Sequence, residues 1–366
     1  MRALKNVLVT GGAGFIGCNF IRFLLEKAGG FSGRIINLDA LTYASSRMSL
    51  ADIEAKYGAA KQGANPRYFF EHGDICDRAL VESLFKKYEI DTAVHFAAES
   101  HVDRSIHGPE AFIKTNVMGT FTLLDVARNA WKDSPPSDVL FHHISTDEVY
   151  GSLSETGYFT EATPYDPRSP YSASKAGSDH LAMAYSHTYG LPVTLSNCSN
   201  NYGPCQFPEK LIPLMILNML EGKPLPVYGD GKNIRDWLYV EDHNSAVWTV
   251  MCNGKAGETY NIGGENEWEN IKLLNVLIDI TATKAKIDPA KIRSTITFVK
   301  DRPGHDRRYA IDCSKIKREL GWKQTVSFEE GLARTVDWYL ANPQWVENIR
   351  SGDYQHWVEK NYGARS

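Results

Sequence analysis

The stretch Val7-Leu8-Val9-Thr10-Gly11-Gly12-Ala13-Gly14-Phe15-Ile16-Gly17 decides the fold. A short apolar run rich in valine meets a cluster of glycines. Apolar residues Phe15, Ile16, Phe20, Phe23 and Leu24 then recur at helical spacing through Lys27. A strand, a tight turn and a helix in that order give each glycine a task. Gly11 allows the turn, Gly14 lets the backbone approach a pyrophosphate, and Gly17 lets the helix pack closely on the strand. The free amides and dipole at the helix start favour that anion. Arg34–Asp39 is the next strand, and its last residue stands 22 positions after Gly17 (39 − 17). A carboxylate there accepts hydrogen bonds from a ribose diol and repels a 2′-phosphate, which predicts NAD as the cofactor in preference to NADP.

Further strand and helix patterns alternate outward from this unit. Strands are predicted at Tyr68–Phe70, Ala93–Ala97, Val139–Ile144 and Pro192–Ser196, with helices over Ala79–Tyr88, about Phe112–Trp131 and about Tyr171–Tyr189. Alternating βα units with right-handed crossovers predict an α/β fold, a Rossmann-like doubly wound parallel sheet. After Cys198 turn signals crowd in, among them Asn200-Asn201-Tyr202-Gly203-Pro204 and Gly229-Asp230-Gly231. They predict a smaller mixed α/β substrate-binding lobe interleaved with returns to the sheet. The division expected is 1–198 with 234–264 for the dinucleotide, and 199–233 with 265–366 for the substrate.

Composition narrows the classes. The 366 residues carry 40 Lys+Arg against 44 Asp+Glu, a net charge of −4, and 43% hydrophobic residues. That balance offers no basic surface for nucleic acid or an anionic membrane. No apolar run is long enough for a bilayer span. The first core strand is read within a few residues of Met1 and would be lost with a cleaved signal peptide, so none is expected. The six cysteines form no C-x-x-C pair, so neither a disulfide framework nor a metal site is expected, and a cytoplasmic location fits.

Tyr171-Ser172-Ala173-Ser174-Lys175 puts a phenol and an ammonium one helical turn apart on one face. A phenol titrates near pH ~10, and a neighbouring cation, helped by a positive nicotinamide ring, is expected to lower that value. A phenolate so formed can take the proton of a sugar hydroxyl while hydride leaves the same carbon. Asp74-Ile75 and Ala97-Ala98-Glu99-Ser100 follow strands at the same sheet edge. At the end of the fifth strand stand Asp147 and Glu148, two carboxyls that hinder each other's ionisation, so one protonated and one charged is the expected state.

The glycine motif together with Tyr-x-x-x-Lys resembles the extended short-chain dehydrogenase/reductase family. The run Ser145-Thr146-Asp147-Glu148-Val149-Tyr150-Gly151 is similar to the signature of its dTDP-glucose 4,6-dehydratase branch, as are Ala97–Asp103, Asn200–Pro204, Phe207–Pro213, Arg235-Asp236-Trp237 and Asp301–His305. The resemblance spans nearly the whole chain. It implies oxidation of a nucleotide sugar at C4, loss of water across C5–C6, and return of hydride to C6. Glu148 is then the base at C5, Asp147 the acid at the C6 hydroxyl, and Thr146 a partner of the C4 oxygen beside Tyr171 and Lys175. It further implies cofactor contacts from Gly11, Gly14, Phe15, Ile16, Gly17, Asp39, Leu41, Thr42, Asp74, Ile75, Ala97, Ala98, Ser100, Thr115, Tyr171, Lys175 and Asn201. Substrate contacts are implied for Ser100, Thr146, Asn200, Lys210, Leu211, Pro226, Tyr228, Asn270, Asp301, Arg302, His305 and Tyr362. Arg235 is the expected bidentate clamp on the pyrophosphate.

Three departures from the branch are visible. Cys205 replaces an aromatic residue expected at the substrate wall, Ser45-Ser46 replaces Gly-Asn near the adenosine, and Gly151–Pro170 is expected to be a surface flap. In the family the helices at 112–131 and 171–189 pair across a two-fold axis, which implies a homodimer. Two other readings stay open. One is a UDP-sugar 4-epimerase or decarboxylase on the same frame, for which the acidic pair has no task. The other is a non-catalytic NAD-binding scaffold, for which Tyr171 and Lys175 have none.

Overall fold

The computed structural model describes residues 2, 4–59, 65–301 and 305–350. Six strands follow one another through the first half: β1 (Asn6–Thr10), β2 (Arg34–Asp39), β3 (Tyr68–His72), β4 (Thr92–His95), β5 (Leu140–Thr146) and β6 (Val193–Cys198). The second half adds β7 (Asn200–Tyr202), β8 (Leu225–Tyr228), β9 (Ile234–Tyr239), β10 (Thr259–Ile262), β11 (Glu267–Glu269) and β12 (Ile296–Val299). One parallel sheet runs β10-β6-β5-β4-β1-β2-β3. Its strand order reverses between β1 and β4, the crevice where open α/β sheets bind ligands. The smaller lobe carries a three-stranded sheet, β11-β9-β7, and a two-stranded one, β12-β8. As expected, the chain returns to the main sheet, through β10.

Period-two alternation explains the two cores. Val7 and Val9 of β1 join a cluster with Phe20, Ile21 and Leu24 of the Phe15–Glu26 helix and Ala246, Val247 and Val250 of the Val240–Asn253 helix. Leu8 faces the other way, into a cluster with Val81, Leu84 and Phe85 of the Arg78–Tyr88 helix and Leu123, Leu124 and Ala127 of the Thr120–Ala130 helix. Helices thus cover both faces, and the buried strands read as continuous apolar runs. Among the described residues no helix is long and apolar enough to cross a membrane.

Local differences from the sequence expectations have physical causes. β4 ends at His95 because the chain at Phe96 and Ala97 folds over the glycine turn, with Phe96 N–H donating to Thr10 O (3.2 Å) and Ala97 N–H to Thr10 Oγ1 (3.3 Å). The expected helix over 112–131 is a composite. A short helix at Pro109–Phe112 widens into a π-helical turn at Ile113–Gly119 before Thr120–Ala130, the kind of bulge that re-aims a side chain. It turns Asn116 inward, where Oδ1 accepts from Glu99 N (2.9 Å) and Nδ2 donates to Ser174 Oγ (2.8 Å). The segment Gly151–Pro170 runs at the surface, as expected, with residues 154–158 exposed, but it is tied down as a strap. Phe159 is buried, its N–H donates to Ala310 O (2.9 Å), and Leu153 N–H donates to Arg308 O (3.0 Å).

Pro170–Tyr189 starts as its sequence dictates. Ser169 caps it through Ser172 N–H, Ser172 caps back, Pro170 occupies the first turn, and Gly190 ends it at φ +69°. Gly11, just after β1, is constrained twice over. Its φ is +69°, and a Cβ there would lie 2.7 Å from Ala97 Cα and N. The left-handed strain and the collision add together, so Gly11→Ala is expected to cost about 2 kcal/mol or more of stability. Denaturant titration of the purified variant checks this, and wild-type stability would contradict the contact.

Candidate active site

Because all strands of the main sheet are parallel, the ends of β1, β2, β4, β5 and β6 open on one edge. A cleft of about 340 Å³ lies there. Its dinucleotide half is walled by Gly11, Gly14, Phe15, Ile16, Gly17, Asp39, Thr42, Asp74, Ile75, Ala97, Ala98, Thr115 and Asn201. Its reactive half is walled by Ser100, Thr146, Asp147, Glu148, Tyr171, Lys175, Asn200 and Lys210. A larger cavity of about 710 Å³, behind the first helix, is lined by Arg22, Trp338 and Trp345 and by none of the residues assigned to chemistry or cofactor.

The glycine turn is shaped for an anion. No side chain caps the Phe15–Glu26 helix and no acidic residue stands in its first turn. A Cβ on Gly17 would collide with Gly11 O at 2.3 Å, whereas one on Gly14 would meet only Gly11 O, at 3.3 Å. Gly17 is therefore needed for packing, while the backbone at Gly14 stays open for close approach. Asp39 is buried at the end of β2. Its Oδ2 accepts from Ala13 N–H (2.8 Å) and its Oδ1 from Leu41 N–H (2.8 Å). The carboxylate thus braces the turn, with lone pairs left for a diol. Leu41 itself, at φ +51°, is outside the walls. These features fit a dinucleotide.

β5 runs two residues beyond its predicted end, which makes Ser145 and Thr146 strand residues and starts a short helical turn at Asp147–Tyr150. Thr146 Oγ1 accepts from Glu148 N–H (3.3 Å) and lies 3.4 Å from Asp147 Oδ1. Thr146 and Tyr171 line the same part of the cleft. Asp147 is 1% exposed, and its Oδ2 has no hydrogen-bond partner among the described residues. Burial, then the charge of Glu148 and of Asp236, push its carboxyl well above the usual range. One carboxyl kept protonated beside another is the expected arrangement, achieved here mainly by desolvation.

The phenol differs from expectation. Burial first, then Glu148 and Cys198, push Tyr171 well above the usual tyrosine range. Lys175 is also fully buried, and its Nζ donates to Ile144 O (2.8 Å). Burial lowers Lys175, opposed by Asp179 and Cys198. Desolvation therefore dominates at both groups, and a phenolate at neutral pH needs added positive charge, such as that of a nicotinamide ring.

Other predicted residues lie outside these walls. Arg235 is buried, its Nη1 and Nη2 donating to Ile234 O (2.7 Å) and Asp306 O (2.9 Å), its plane 4.2 Å above the Tyr309 ring. It helps to lower Asp147. Tyr228 O–H donates to Asp103 Oδ2 (3.3 Å), and the ring packs on His305, whose Nδ1 is 2.6 Å from Asp301 Oδ1. Leu211 starts the Leu211–Glu221 helix, Asn270 starts another, and Pro226 lies in β8. Arg302 and Tyr362 lie outside the described residues.

Cys205, at φ +64°, contacts Cys18 and lines the larger cavity, so it does not shape the reactive wall. All six cysteines are free. Glu99, Phe207 and Glu209 line the cleft from within the quoted motifs without having been singled out, and Gln206 lines it from between two of them. Asn116 carried no signal, because only the π turn aims it.

The family model described as GDP-mannose 4,6 dehydratase matches residues 8–335. A dTDP-glucose 4,6-dehydratase of Shigella flexneri is 54% identical, over 98% of this chain and 99% of its own. One of Neisseria meningitidis serogroup B is 52% identical over 96% and 98%. DesIV, a dTDP-glucose 4,6-dehydratase from Streptomyces venezuelae solved with NAD bound, is 48% identical, with a TM-score of 0.84 over 94% of this chain and 100% of that one. A UDP-glucose 4-epimerase of Thermotoga maritima reaches a TM-score of 0.79 at 28% identity, over 93% of this chain and 100% of that one.

The raised carboxyl has a stability consequence. Above about pH 4 the unfolded chain releases the Asp147 proton while the fold retains it, so wild-type stability falls as pH rises toward the folded value. Asp147→Asn removes that penalty. The variant is expected to be more stable than wild type near pH 8 by about 1–3 kcal/mol, with the gap closing toward pH 4. Urea unfolding at several pH values checks this, and a pH-independent gap would contradict the buried acid.

Proposed function

The chain belongs to the dTDP-glucose 4,6-dehydratase family of extended short-chain dehydrogenases/reductases, and we propose that it converts dTDP-glucose to dTDP-4-keto-6-deoxyglucose by the residues of this cleft. The observation that carries the reading is Asp147, 1% exposed next to Glu148 in the same cleft as the glycine turn and Tyr171, where burial pushes its carboxyl up. A 4-epimerase or decarboxylase oxidises C4 as well but has no need of that acid.

NAD, when bound, supplies the hydride acceptor for C4 and the hydride donor for C6. The protein's residues move the protons. Tyr171 takes the C4 hydroxyl proton, aided by the Thr146 hydroxyl. The C4 ketone acidifies the C5 hydrogen, which Glu148 takes. Asp147 protonates the C6 hydroxyl, which leaves as water across C5–C6. Glu148 returns a proton to C5 as C6 is reduced, so the cofactor ends as it began, which favours its retention between turnovers.

Residues 1–198 with 240–264 hold the dinucleotide, and 199–239 with 265–366 hold the sugar nucleotide, because β9, expected with the dinucleotide, pairs with β7 and β11. Lys210, whose Nζ donates to Ser100 O (3.0 Å), and Asn200 are the pyrophosphate and sugar partners that line the cleft. Arg235 reaches the pyrophosphate from the three-stranded sheet. The helices over 112–131 and 171–189 pair in a homodimer, a reading supported by exposed Ile113, Met118 and Tyr189. The location is cytoplasmic, which unpaired cysteines support.

Deuterium placed at C4 of dTDP-glucose is expected in the C6 methyl of the product, and mass spectrometry reads it; label lost to water would overturn the closed hydride cycle. Asp147→Asn is expected to slow water loss by roughly 100-fold while reduced nicotinamide accumulates. Glu148→Gln should abolish solvent-hydrogen exchange at C5. Equal loss of oxidation and elimination in Asp147→Asn would remove the role given to that acid.

A further inference from the structure

Three segments that wall the cleft meet at one guanidinium. The first follows β2 and its carboxylate Asp39. Thr42, Ala44 and Ser45 line the cleft there, and Ser46 N–H donates to Ala13 O of the glycine turn (3.1 Å). The second follows β4, where Glu99 and Ser100 line the cleft and a short helix runs over Val102–His107. The third follows β7 in the smaller lobe, where Phe207, Glu209 and Lys210 line it. Arg104, on the short helix, reaches both of the others. Its Nε donates to Glu209 Oε2 (2.9 Å), and its guanidinium carbon lies 3.7 Å from the centre of the Tyr43 ring.

The contacts close on themselves. Tyr43 meets Phe207 edge to face, with ring centres 5.4 Å apart at 83°. Phe207 and Glu209 belong to one turn, closed by Lys210 N–H donating to Phe207 O (3.1 Å). Tyr43, Arg104, Glu209 and Phe207 therefore form a ring of side chains drawn from three distant parts of the chain. Lys210 adds a second tie, its Nζ donating to Ser100 O (3.0 Å). The ring is not a surface pair. The Glu209 side chain is 4% exposed and that of Arg104 23%, so salt screens their attraction little. A guanidinium can lay its plane on an aromatic face while donating from its edge, which an ammonium cannot do. Tyr43 and Arg104 are not themselves among the wall residues, so they act through the segments they join.

We propose that Arg104 is a positioning residue for the cofactor: with Tyr43 and Glu209 it clasps the loop beyond Asp39 to the smaller lobe and holds the walls of the cleft closed on NAD between turnovers. The proposal rests on the NAD-dependent reading of the cleft and adds the residues that retain the dinucleotide. For NAD to leave, the loop carrying Thr42 and Ala44 must part from Phe207 and Glu209. That parting breaks the Arg104 bond and the stack on Tyr43 together. Loss of either contact speeds release, while Asp147, Glu148 and Tyr171 keep their places.

The test is the rate at which NAD leaves the loaded enzyme, read as radiolabelled NAD still on the protein during a chase with excess unlabelled NAD and no sugar nucleotide. Arg104→Met and Tyr43→Ala are each expected to release it roughly tenfold faster or more. Tyr43→Phe, which keeps the ring face, is expected to stay within about twofold of wild type. Arg104→Lys keeps the charge without the fork and is expected to fall between wild type and Arg104→Met. The double variant Arg104→Met/Tyr43→Ala should exceed the faster single by at most about twofold, because one clasp is lost only once. In turnover of dTDP-glucose, saturating added NAD is expected to return kcat of Arg104→Met and Tyr43→Ala to within about threefold of wild type. Wild-type release from Arg104→Met, multiplied rates in the double variant, Tyr43→Phe as fast as Tyr43→Ala, or a low kcat that added NAD does not restore would overturn the proposal. Should Arg104→Met not fold, Tyr43→Ala decides, and wild-type release from it overturns the clasp. Wild-type protein that takes up no NAD defeats the cofactor reading itself, a separate outcome.

Discussion

The contact between Gly11 and the backbone of Ala97 sets the geometry on which the rest depends. With no side chain between them, the chain after β1 and the chain after β4 turn across one another at the switch point of the sheet. Thr10 fastens the crossing, its Oγ1 lying 2.8 Å from His95 Nδ1 and accepting from Ala97 N–H. His95 passes the tie on to Thr120 Oγ1 (2.9 Å), just past the π turn. The glycine turn, the Ala97–Ser100 run and the helix that aims Asn116 are thereby locked together, and a bulkier residue at position 11 would force all three apart.

Desolvation does most of the electrostatic work at the other end of the cleft. It pushes the Asp147 carboxyl and the Tyr171 phenol up and the Lys175 ammonium down. Each group is held in a form poised to exchange a proton, at a cost in stability that packing elsewhere offsets. The fastening of β5 to one turn of helix, His143 and Ser145 to Asp179 and Ile144 to Lys175, fits that need, since a loosely held buried acid would turn toward water. The strap contributes through Tyr165, which donates to Asp179, so a segment that looks peripheral in sequence reaches the interior of the site.

Much was legible in the residues before any coordinates. Glycine spacing, valine-rich runs and the carboxylate of Asp39 are local signals, each needing only its neighbours in the chain. β2 falls where its pattern put it, and the helix from Pro170 begins and ends at its cap signals. The less legible parts are non-local. The π turn has no composition of its own. The strap is held by Phe159 meeting Ala310 and Ile311, some 150 residues away. Cys205 was read as a wall of the pocket because its motif borders the site, yet a left-handed backbone turns it to the back of the first helix.

The sequence by itself determined the parallel sheet, the dinucleotide turn and the acidic pair with its tyrosine and lysine, because short-range periodicity and side-chain chemistry are written residue by residue. Only the tertiary structure decided which of those groups are desolvated, that burial dominates at Tyr171, and that Asp179 reaches back to β5. The physical reason is that a proton affinity depends on the dielectric and the charges around a group in space, and those neighbours come from strands and helices far apart along the chain.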